Sequence, residues 1–218
     1  MIEVYADPSC PFAHVGLIRL IQRRNELGLN STIRVRAWPL EFVNGVPLDP
    51  ATTVRKVAAL RAQVAPELFK GFHKQTAGHS TISAMALEEI AYLRSDMLGL
   101  KVSLRLRHLY FEQGHPLTEA LLERVANEVD LQVPPTQDSL DSVNASWEVG
   151  KRRGVIGSPH FFTATNSYFC PSLKIGHDGE ALVITATPAM LDAVLGTPKP
   201  AEPPSDPLTP RHPPHVES

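Results

Sequence analysis

The order of strand and helix patterns in the first 38 residues restricts the fold more than any other feature of this sequence. Residues 2–5 are strand-like, apolar side chains recur at helical spacing across residues 12–21, and residues 32–38 alternate apolar and polar side chains. Pro11 suits the first turn of the helix, and Gly28 suits its end. This β-α-β start predicts two parallel strands connected by a helix that packs on the sheet.

The middle of the chain, from about residue 51 to residue 153, contains only helical patterns. Apolar residues at helical spacing predict five helices there. These helices are expected at residues 54–65, 82–97 with an end near Gly99, 106–110 with an end near Gly114, 121–129 and 140–154. A run of helices without an intervening strand indicates a helical unit placed between two parts of the sheet.

Strand patterns return after the helices. Residues 160–164 and 167–170 predict a hairpin, residues 181–185 predict a further strand, and residues 188–195 predict a short helix. The last 22 residues contain eight prolines and few apolar side chains, so we expect a disordered tail.

The complete order is therefore β-α-β, then helices, then β-β-α. It predicts an α/β protein with a thioredoxin fold that carries a helical domain between its βαβ and ββα halves. We expect the first half at residues 1–45, the helical insertion at residues 46–150, the second half at residues 151–196 and the Pro-rich tail at residues 197–218.

Composition and charge restrict the partners and the cellular location. A formal net charge of -2 gives no reason to expect binding to nucleic acid or to an anionic membrane. The chain has neither an N-terminal signal-peptide pattern nor an apolar stretch of the roughly 18 residues that a membrane span needs. Its two cysteines are too few for a disulfide scaffold and lack zinc-type spacing. We expect a cytoplasmic protein without a metal site.

Three stretches carry a resemblance to a known family: Asp-Pro-Ser-Cys-Pro-Phe at residues 7–12, Trp-Pro-Leu-Glu-Phe at residues 38–42, and Gly-Val-Ile-Gly-Ser-Pro-His-Phe-Phe at residues 154–162. In this order and separation they resemble the DsbA-like thioredoxin family. The likeness is greatest to its cytoplasmic FrnE-like branch and to the branch of 2-hydroxychromene-2-carboxylate isomerases and kappa-class glutathione transferases. It covers about residues 1–196 and implies that the loop proline, Pro159, is cis.

The sequence departs from both branches at the predicted active site. In the dithiol members, the position of Ala13 holds a second cysteine that resolves the mixed disulfide on the first. In the isomerase and transferase branch, a serine stands at the position of Cys10. This chain has a cysteine at residue 10 without that resolving partner.

Cys10 is the candidate nucleophile, because its predicted place is the N-terminus of the first helix. Free backbone N–H groups and the positive end of the helix dipole favour a thiolate there, and the pKa of such a cysteine can fall to about 3.5–7.5. A small buried apolar residue that happens to begin a helix is the alternative. His14 lies one helical turn further on; as an imidazolium it could stabilise the thiolate or donate a proton, or it could be a partly exposed histidine.

The resemblance places the substrate or thiol contacts around the predicted cis-proline loop. The backbone of Ser158, next to Pro159, could pair with an extended peptide or with the cysteinyl part of a small thiol. His160 follows this proline directly. The resemblance adds three residues next to the candidate nucleophile, which are Ser9, Pro11 and Phe12.

Cys170, at the end of the predicted hairpin, has two interpretations. It could be a distant second thiol if its Cα comes within about 7 Å of the Cα of Cys10. The alternative, which the sequence favours, is a buried structural cysteine.

One nucleophilic cysteine leaves three functions open. The first is a monothiol thiol–disulfide oxidoreductase of the DsbA family, with no tightly bound cofactor and with glutathione or mycothiol as co-substrate. The second is a thiol-dependent isomerase or transferase of the 2-hydroxychromene-2-carboxylate isomerase or kappa glutathione transferase type. The third is a non-catalytic module that binds a peptide or a small molecule. In the first, the partner is a small thiol or a protein thiol or disulfide, and a homodimer is one option for the assembly.

Overall fold

The computed structural model describes residues 1–197, so the predicted tail lies outside the described residues except for Thr197. The strands are β1 (Ile2–Ala6), β2 (Ile33–Ala37), β3 (His160–Phe162), β4 (Ser167–Phe169), β5 (Leu173–Asp178) and β6 (Ala181–Ala186). The helices are α1 (Pro11–Glu26), α2 (Leu40–Asn44), α3 (Pro50–Gln63), α4 (Ile82–Arg94), α5 (Asp96–Arg107), α6 (Glu119–Asn127), α7 (Thr136–Arg152) and α8 (Pro188–Leu195).

The main sheet has the strand order β2-β1-β3-β4. Strands β1 and β2 are parallel, as the β-α-β pattern predicts, and β3 and β4 continue the sheet in antiparallel pairs. Val4 in the central strand lies opposite Val35 on one side and Phe161 on the other. These residues form one hydrophobic cluster with Leu17 and Leu20 of α1, which fixes the helix on this face. The predicted α/β thioredoxin fold is confirmed.

Helices α3 to α7 lie between β2 and β3 in the chain, and tryptophan packing joins them to the sheet. Trp38, just after β2, is buried with its ring centroid 4.0 Å from that of Trp147 in α7. Gly150, one turn further along α7, permits this approach, because a Cβ there would lie 2.7 Å from the Trp38 ring. The sheet and the helical block are therefore in direct contact close to the carboxyl end of β2.

The prediction of one helix that ends near Gly99 is wrong. Helix α4 ends earlier, and Ser95 begins α5 as its N-cap, accepting a hydrogen bond from the N–H of Leu98 at 3.1 Å. Gly99 lies inside α5, where a Cβ would come within 2.1 Å of the Tyr92 ring. This glycine therefore serves close helix packing rather than helix termination.

The third predicted helix is the end of a longer one. Residues 106–110 belong to the last turn of α5 and to a π-helical turn, His108–Glu112, that follows it directly. The chain leaves this turn at Gly114, which has a positive φ of 71°. A π-helical turn widens the helix by one residue and is common near functional sites. Here it directs Phe111 and Glu112 towards α1.

The second half contains a strand that the sequence patterns did not indicate. Residues Leu173–Asp178 form β5, which pairs with β6 as a separate two-stranded ribbon. Only Leu173 in this strand is buried, so the strand does not need the alternation of apolar and polar residues by which a strand is recognised in a sequence. The side chain of Gln63 in α3 fixes the ribbon, since it bonds the N–H of Ile184 and the C=O of Leu182 at 2.8 Å each.

Within residues 1–197, none of the helices combines the length and the apolar character needed to cross a bilayer.

Candidate active site

Cys10 is the N-cap of α1, at the point where the chain leaves the carboxyl end of β1. Its backbone is extended, Pro11 occupies the first helical position, and the C=O of Cys10 accepts the first helical hydrogen bond from His14 N–H at 3.1 Å. The N–H of Cys10 donates to the C=O of Asp7 at 3.1 Å, which closes a tight turn before the helix. Local sequence thus places a thiol at a helix N-terminus.

The loop before β3 faces this thiol. The Ser158–Pro159 peptide bond is cis. The Sγ–H of Cys10 donates a hydrogen bond to the C=O of Ser158 at 3.2 Å, and the Oγ of Ser158 accepts one from the N–H of Asp7 at 3.0 Å. Two segments about 150 positions apart in the sequence are therefore bonded at the sulfur atom and in the turn before it.

The environment of the sulfur changes the expected acidity. Cys10 is only 3% exposed, and this burial raises the pKa of its thiol, with the negative charge of Asp7 acting in the same direction. The Ser158 side chain and the backbone N–H groups of Ala13 and Phe12 lower the pKa, but burial outweighs them. The expectation of a lowered pKa is therefore not met: the balance of these effects raises the pKa and favours the neutral thiol.

Asp7 organises the site, and the sequence patterns did not single it out. Its buried carboxylate accepts hydrogen bonds from the N–H and the hydroxyl of Ser9 at 2.8 and 2.6 Å, from the N–H of Leu40 at 2.8 Å and from the hydroxyl of Thr81 at 3.1 Å. It thereby connects the turn before Cys10 with the start of α2 and the start of α4. The Asp-Pro-Ser sequence is typical of an Asx-turn and could have indicated this role of Asp7.

His14 is buried between α1 and the π-helical turn, not partly exposed. Its Nε2 lies 2.9 Å from Oε1 of Glu112, and its ring stacks on Phe111 with centroids 4.7 Å apart. Burial lowers the pKa of His14, while the Glu112 carboxylate opposes this shift. Burial raises the pKa of Glu112, but His14 and the N–H groups of Phe69 and Lys70 lower it by more, so the net shift is downward. A neutral His14 that donates to a Glu112 carboxylate agrees with both shifts.

His160 follows the cis-proline directly, but its side chain does not lie beside the Cys10 thiol. It is 5% exposed, its Nδ1 accepts a hydrogen bond from the N–H of Ile156 at 3.3 Å, and its ring lies 4.4 Å from that of Phe162. Burial lowers its pKa. Opposite Tyr5 in the β1–β3 pair, His160 belongs to the face of the sheet that does not carry α1.

The three residues next to Cys10 have different surroundings. Ser9 directs both its N–H and its hydroxyl to Asp7, so its hydroxyl faces inward. Pro11 is buried at the start of α1. Phe12 is half-buried, and the Nζ of Lys56 in α3 lies 5.9 Å from its ring centroid. Of the three, Phe12 keeps surface that an incoming substrate can contact.

Cys170 lies directly after β4, against the other end of the cis-proline loop. Its N–H donates to the C=O of Pro159 at 3.0 Å, and its backbone has a positive φ of 46°. The side chain is 6% exposed, and burial, with a smaller contribution from Cys10 when it is ionised, raises the pKa of Cys170 to about 12. Cys10 and Cys170 are both free cysteines in this structure.

In the part of the chain that the structure describes, no three His, Cys, Asp or Glu side chains are arranged to hold a metal ion.

No protein-family model matches the sequence, and no curated protein matches it. Solved structures do match. A protein described as a probable DsbA oxidoreductase from Streptomyces coelicolor superposes with a TM-score of 0.60 at 15% identity, covering 94% of each chain. The cytosolic disulfide reductase DsbM from Pseudomonas aeruginosa, solved with GSH, gives a TM-score of 0.55 at 15% identity and covers 77% of this chain and 87% of its own.

A 2-hydroxychromene-2-carboxylate isomerase is similar to the same degree, with a TM-score of 0.55 at 14% identity and coverage of 77% of this chain and 87% of its own. These matches and the cysteine beside a cis-proline define a thioredoxin-fold protein with inserted helices. Within that class, the chain has the fold of the DsbA-like proteins. At such low identities the likeness shows the fold, and the function must be argued from the site.

Proposed function

We propose that this protein is a DsbA-like thiol–disulfide oxidoreductase that uses Cys10 as its single nucleophile. The observation that carries the proposal is the contact of 3.2 Å between Sγ of Cys10 and the backbone C=O of Ser158, at the start of a helix and beside a cis-proline. A sulfur at this place can exchange with a disulfide while the neighbouring loop backbone pairs with the substrate chain.

The exchange starts when Cys10 loses its proton. Its thiolate attacks one sulfur of a substrate disulfide, a new S–S bond forms on Cys10, and the other sulfur leaves as a thiolate that takes up a proton. Backbone N–H groups of Phe12 and Ala13 favour the thiolate. Because the sulfur donates to the C=O of Ser158, substrate binding must displace this hydrogen bond before Cys10 attacks.

The position that holds the second thiol in dithiol members of the family cannot supply one here, because it is an alanine. Ala13 is fully buried, at 0% exposure, and carries no sulfur. We therefore propose glutathione or mycothiol as the co-substrate, a role that agrees with the GSH present in the structure of the similar disulfide reductase. We place this chemistry in the cytoplasm, where such thiols keep cysteines reduced.

Intact-protein mass spectrometry tests the proposal. Reduced protein is incubated with oxidised glutathione or with the disulfide of mycothiol, quenched with acid and weighed, with Cys10→Ser as the control. At early times we expect one thiol to be transferred to the wild-type protein and none to Cys10→Ser. A folded wild-type protein that forms neither an adduct on Cys10 nor a disulfide that includes Cys10 would refute the oxidoreductase function and favour a binding module.

A thiol-dependent isomerase or transferase is the second candidate, and the neutral state of Cys10 favours it. A neutral Sγ–H can donate a hydrogen bond to the thiolate of a bound cofactor, as a serine hydroxyl does. This function predicts saturable glutathione binding that Cys10→Ser retains, together with glutathione-dependent isomerisation of 2-hydroxychromene-2-carboxylate. The oxidoreductase function predicts neither.

A further inference from the structure

The two cysteines are held by successive carbonyl groups of one loop. Cys10 donates from its sulfur to the C=O of Ser158 at 3.2 Å, and Cys170 donates from its backbone N–H to the C=O of Pro159 at 3.0 Å. Both side chains are buried and both are thiols. The cis-proline loop is therefore bonded to a cysteine on each side.

The segment that carries Cys170 also packs on the helix that begins at Cys10. A Cβ on Gly16 of α1 would lie 3.3 Å from Oγ of Ser172 and 3.5 Å from the Pro159 ring. Glycine at this position allows the loop and the segment after β4 to approach α1 closely. Cys170 belongs to the same hydrophobic cluster as Val15 of α1.

The electrostatic effect of Cys10 on Cys170 agrees with this arrangement. A charge on Cys10 raises the pKa of Cys170, in addition to the larger effect of burial. Phe12, which follows Cys10 by two residues, packs against the cluster of Cys10 and against that of Cys170. The first turn of α1 therefore contacts both clusters through Phe12.

From this arrangement we infer that Cys170 is the resolving thiol of the site. The inference rests on the proposed oxidoreductase function. After Cys10 has formed a mixed disulfide with glutathione, the Cys170 thiol loses its proton to solvent and its sulfur attacks Sγ of Cys10. The Cys10–glutathione S–S bond breaks, a Cys10–Cys170 disulfide forms, and glutathione leaves as a thiolate that is then protonated.

The balance of this reaction sequence is simple. One oxidised glutathione is reduced to two reduced glutathiones, and two protein thiols are oxidised to one disulfide. The disulfide requires the two Cα atoms to approach within about 7 Å. Two molecules of reduced glutathione then restore the dithiol form, so the remote cysteine takes the role of the missing residue at position 13.

The test follows the fate of the adduct in time. Reduced wild-type protein, Cys170→Ser and Cys170→Ala are mixed with oxidised glutathione, quenched with acid at intervals and weighed intact. We expect the wild-type protein to end two hydrogens lighter without glutathione, whereas both variants accumulate a stable adduct that persists at least about tenfold longer. Proteolysis of the oxidised wild-type protein should release one disulfide-linked pair of peptides that contain Cys10 and Cys170.

Two results separate the inference from the function on which it rests. A glutathione adduct on Cys10 that is equally long-lived in the wild-type protein and in the Cys170 variants would overturn the resolving role and leave monothiol exchange intact. Failure of the wild-type protein to react at Cys10 would overturn the proposed function as well. Circular dichroism on the two variants confirms that they are folded, and the peptide mapping needs no variant.

Discussion

Asp7→Asn is the substitution that best tests how this site is held together. Asparagine has the shape of aspartate but replaces one carboxylate oxygen by an NH₂ group, which cannot accept a hydrogen bond. Oδ1 of Asp7 accepts from the N–H and the hydroxyl of Ser9, and Oδ2 accepts from the N–H of Leu40 and the hydroxyl of Thr81. With the amide oxygen towards Ser9, the NH₂ group would face the N–H of Leu40.

The expected loss of stability follows from these four bonds. The two bonds to Ser9 lose their charge assistance, at about 1 kcal/mol each. The N–H of Leu40 is left without an acceptor, which costs about 1–3 kcal/mol, while the hydroxyl of Thr81 can rotate and accept from the new NH₂ group. Removal of the desolvation cost of a buried carboxylate offsets part of this sum. We expect a net loss of about 2–4 kcal/mol in the free energy of unfolding.

Urea unfolding followed by circular dichroism measures this loss. Asp178→Asn, at the exposed end of β5, is the matched control and should change the free energy of unfolding by less than about 0.5 kcal/mol. A second readout is the pKa of Cys10, which the charge of Asp7 raises. The midpoint of Cys10 alkylation against pH should therefore shift to lower pH in Asp7→Asn.

A loss below about 1 kcal/mol, or an unchanged alkylation midpoint, would show that the Asp7 carboxylate does not hold these donors as described.

Three further predictions concern the surroundings of the site. Because burial raises the pKa of Cys10, alkylation by iodoacetamide should be slower than that of free glutathione at neutral pH and should still increase at about pH 9; a plateau near neutral pH would contradict this. Gly99→Ala should cost about 1–3 kcal/mol, because its Cβ would overlap the Tyr92 ring, whereas Gly176→Ala, which has open space around it, should be nearly neutral; equal effects would refute the packing argument. Since burial lowers the pKa of His14, the unfolded chain takes up a proton below about pH 6.5 that the folded protein resists, so stability should fall as pH decreases, by at most about 1.4 kcal/mol per pH unit. His14→Gln should flatten this dependence in urea unfolding at several pH values, and an unchanged slope would assign the pH dependence to other groups.

Most of the fold was predictable because its signals are local. The alternation in β2, the helical spacing in α1 and the proline after Cys10 lie within a few residues of one another, and each specifies its element without distant help. The helix end expected at Gly99 shows the limit of such signals. A glycine inside α5 has the same local pattern as a glycine at a helix end, and only the Tyr92 ring packed against it distinguishes the two.

The candidate site was predictable in its members but not in its chemistry. The sequence identified Cys10, the Ser158–Pro159 loop and Cys170, because cysteines and X–Pro pairs are visible without a structure. It did not reveal that His14 is enclosed by Phe111 and bonded to Glu112, since these residues are almost a hundred positions away.

The sequence by itself therefore determined the order of strands and helices and the presence of a single thiol at the start of α1. The tertiary structure decided whether that thiol is ionised, which groups hold it and what lies beside it. Burial of Cys10, its bond to Ser158 and the approach of Cys170 to Pro159 all depend on segments separated by many residues. Desolvation and hydrogen bonding act through space, so the pKa of Cys10 and its hydrogen-bond partners are set only when the chain has folded.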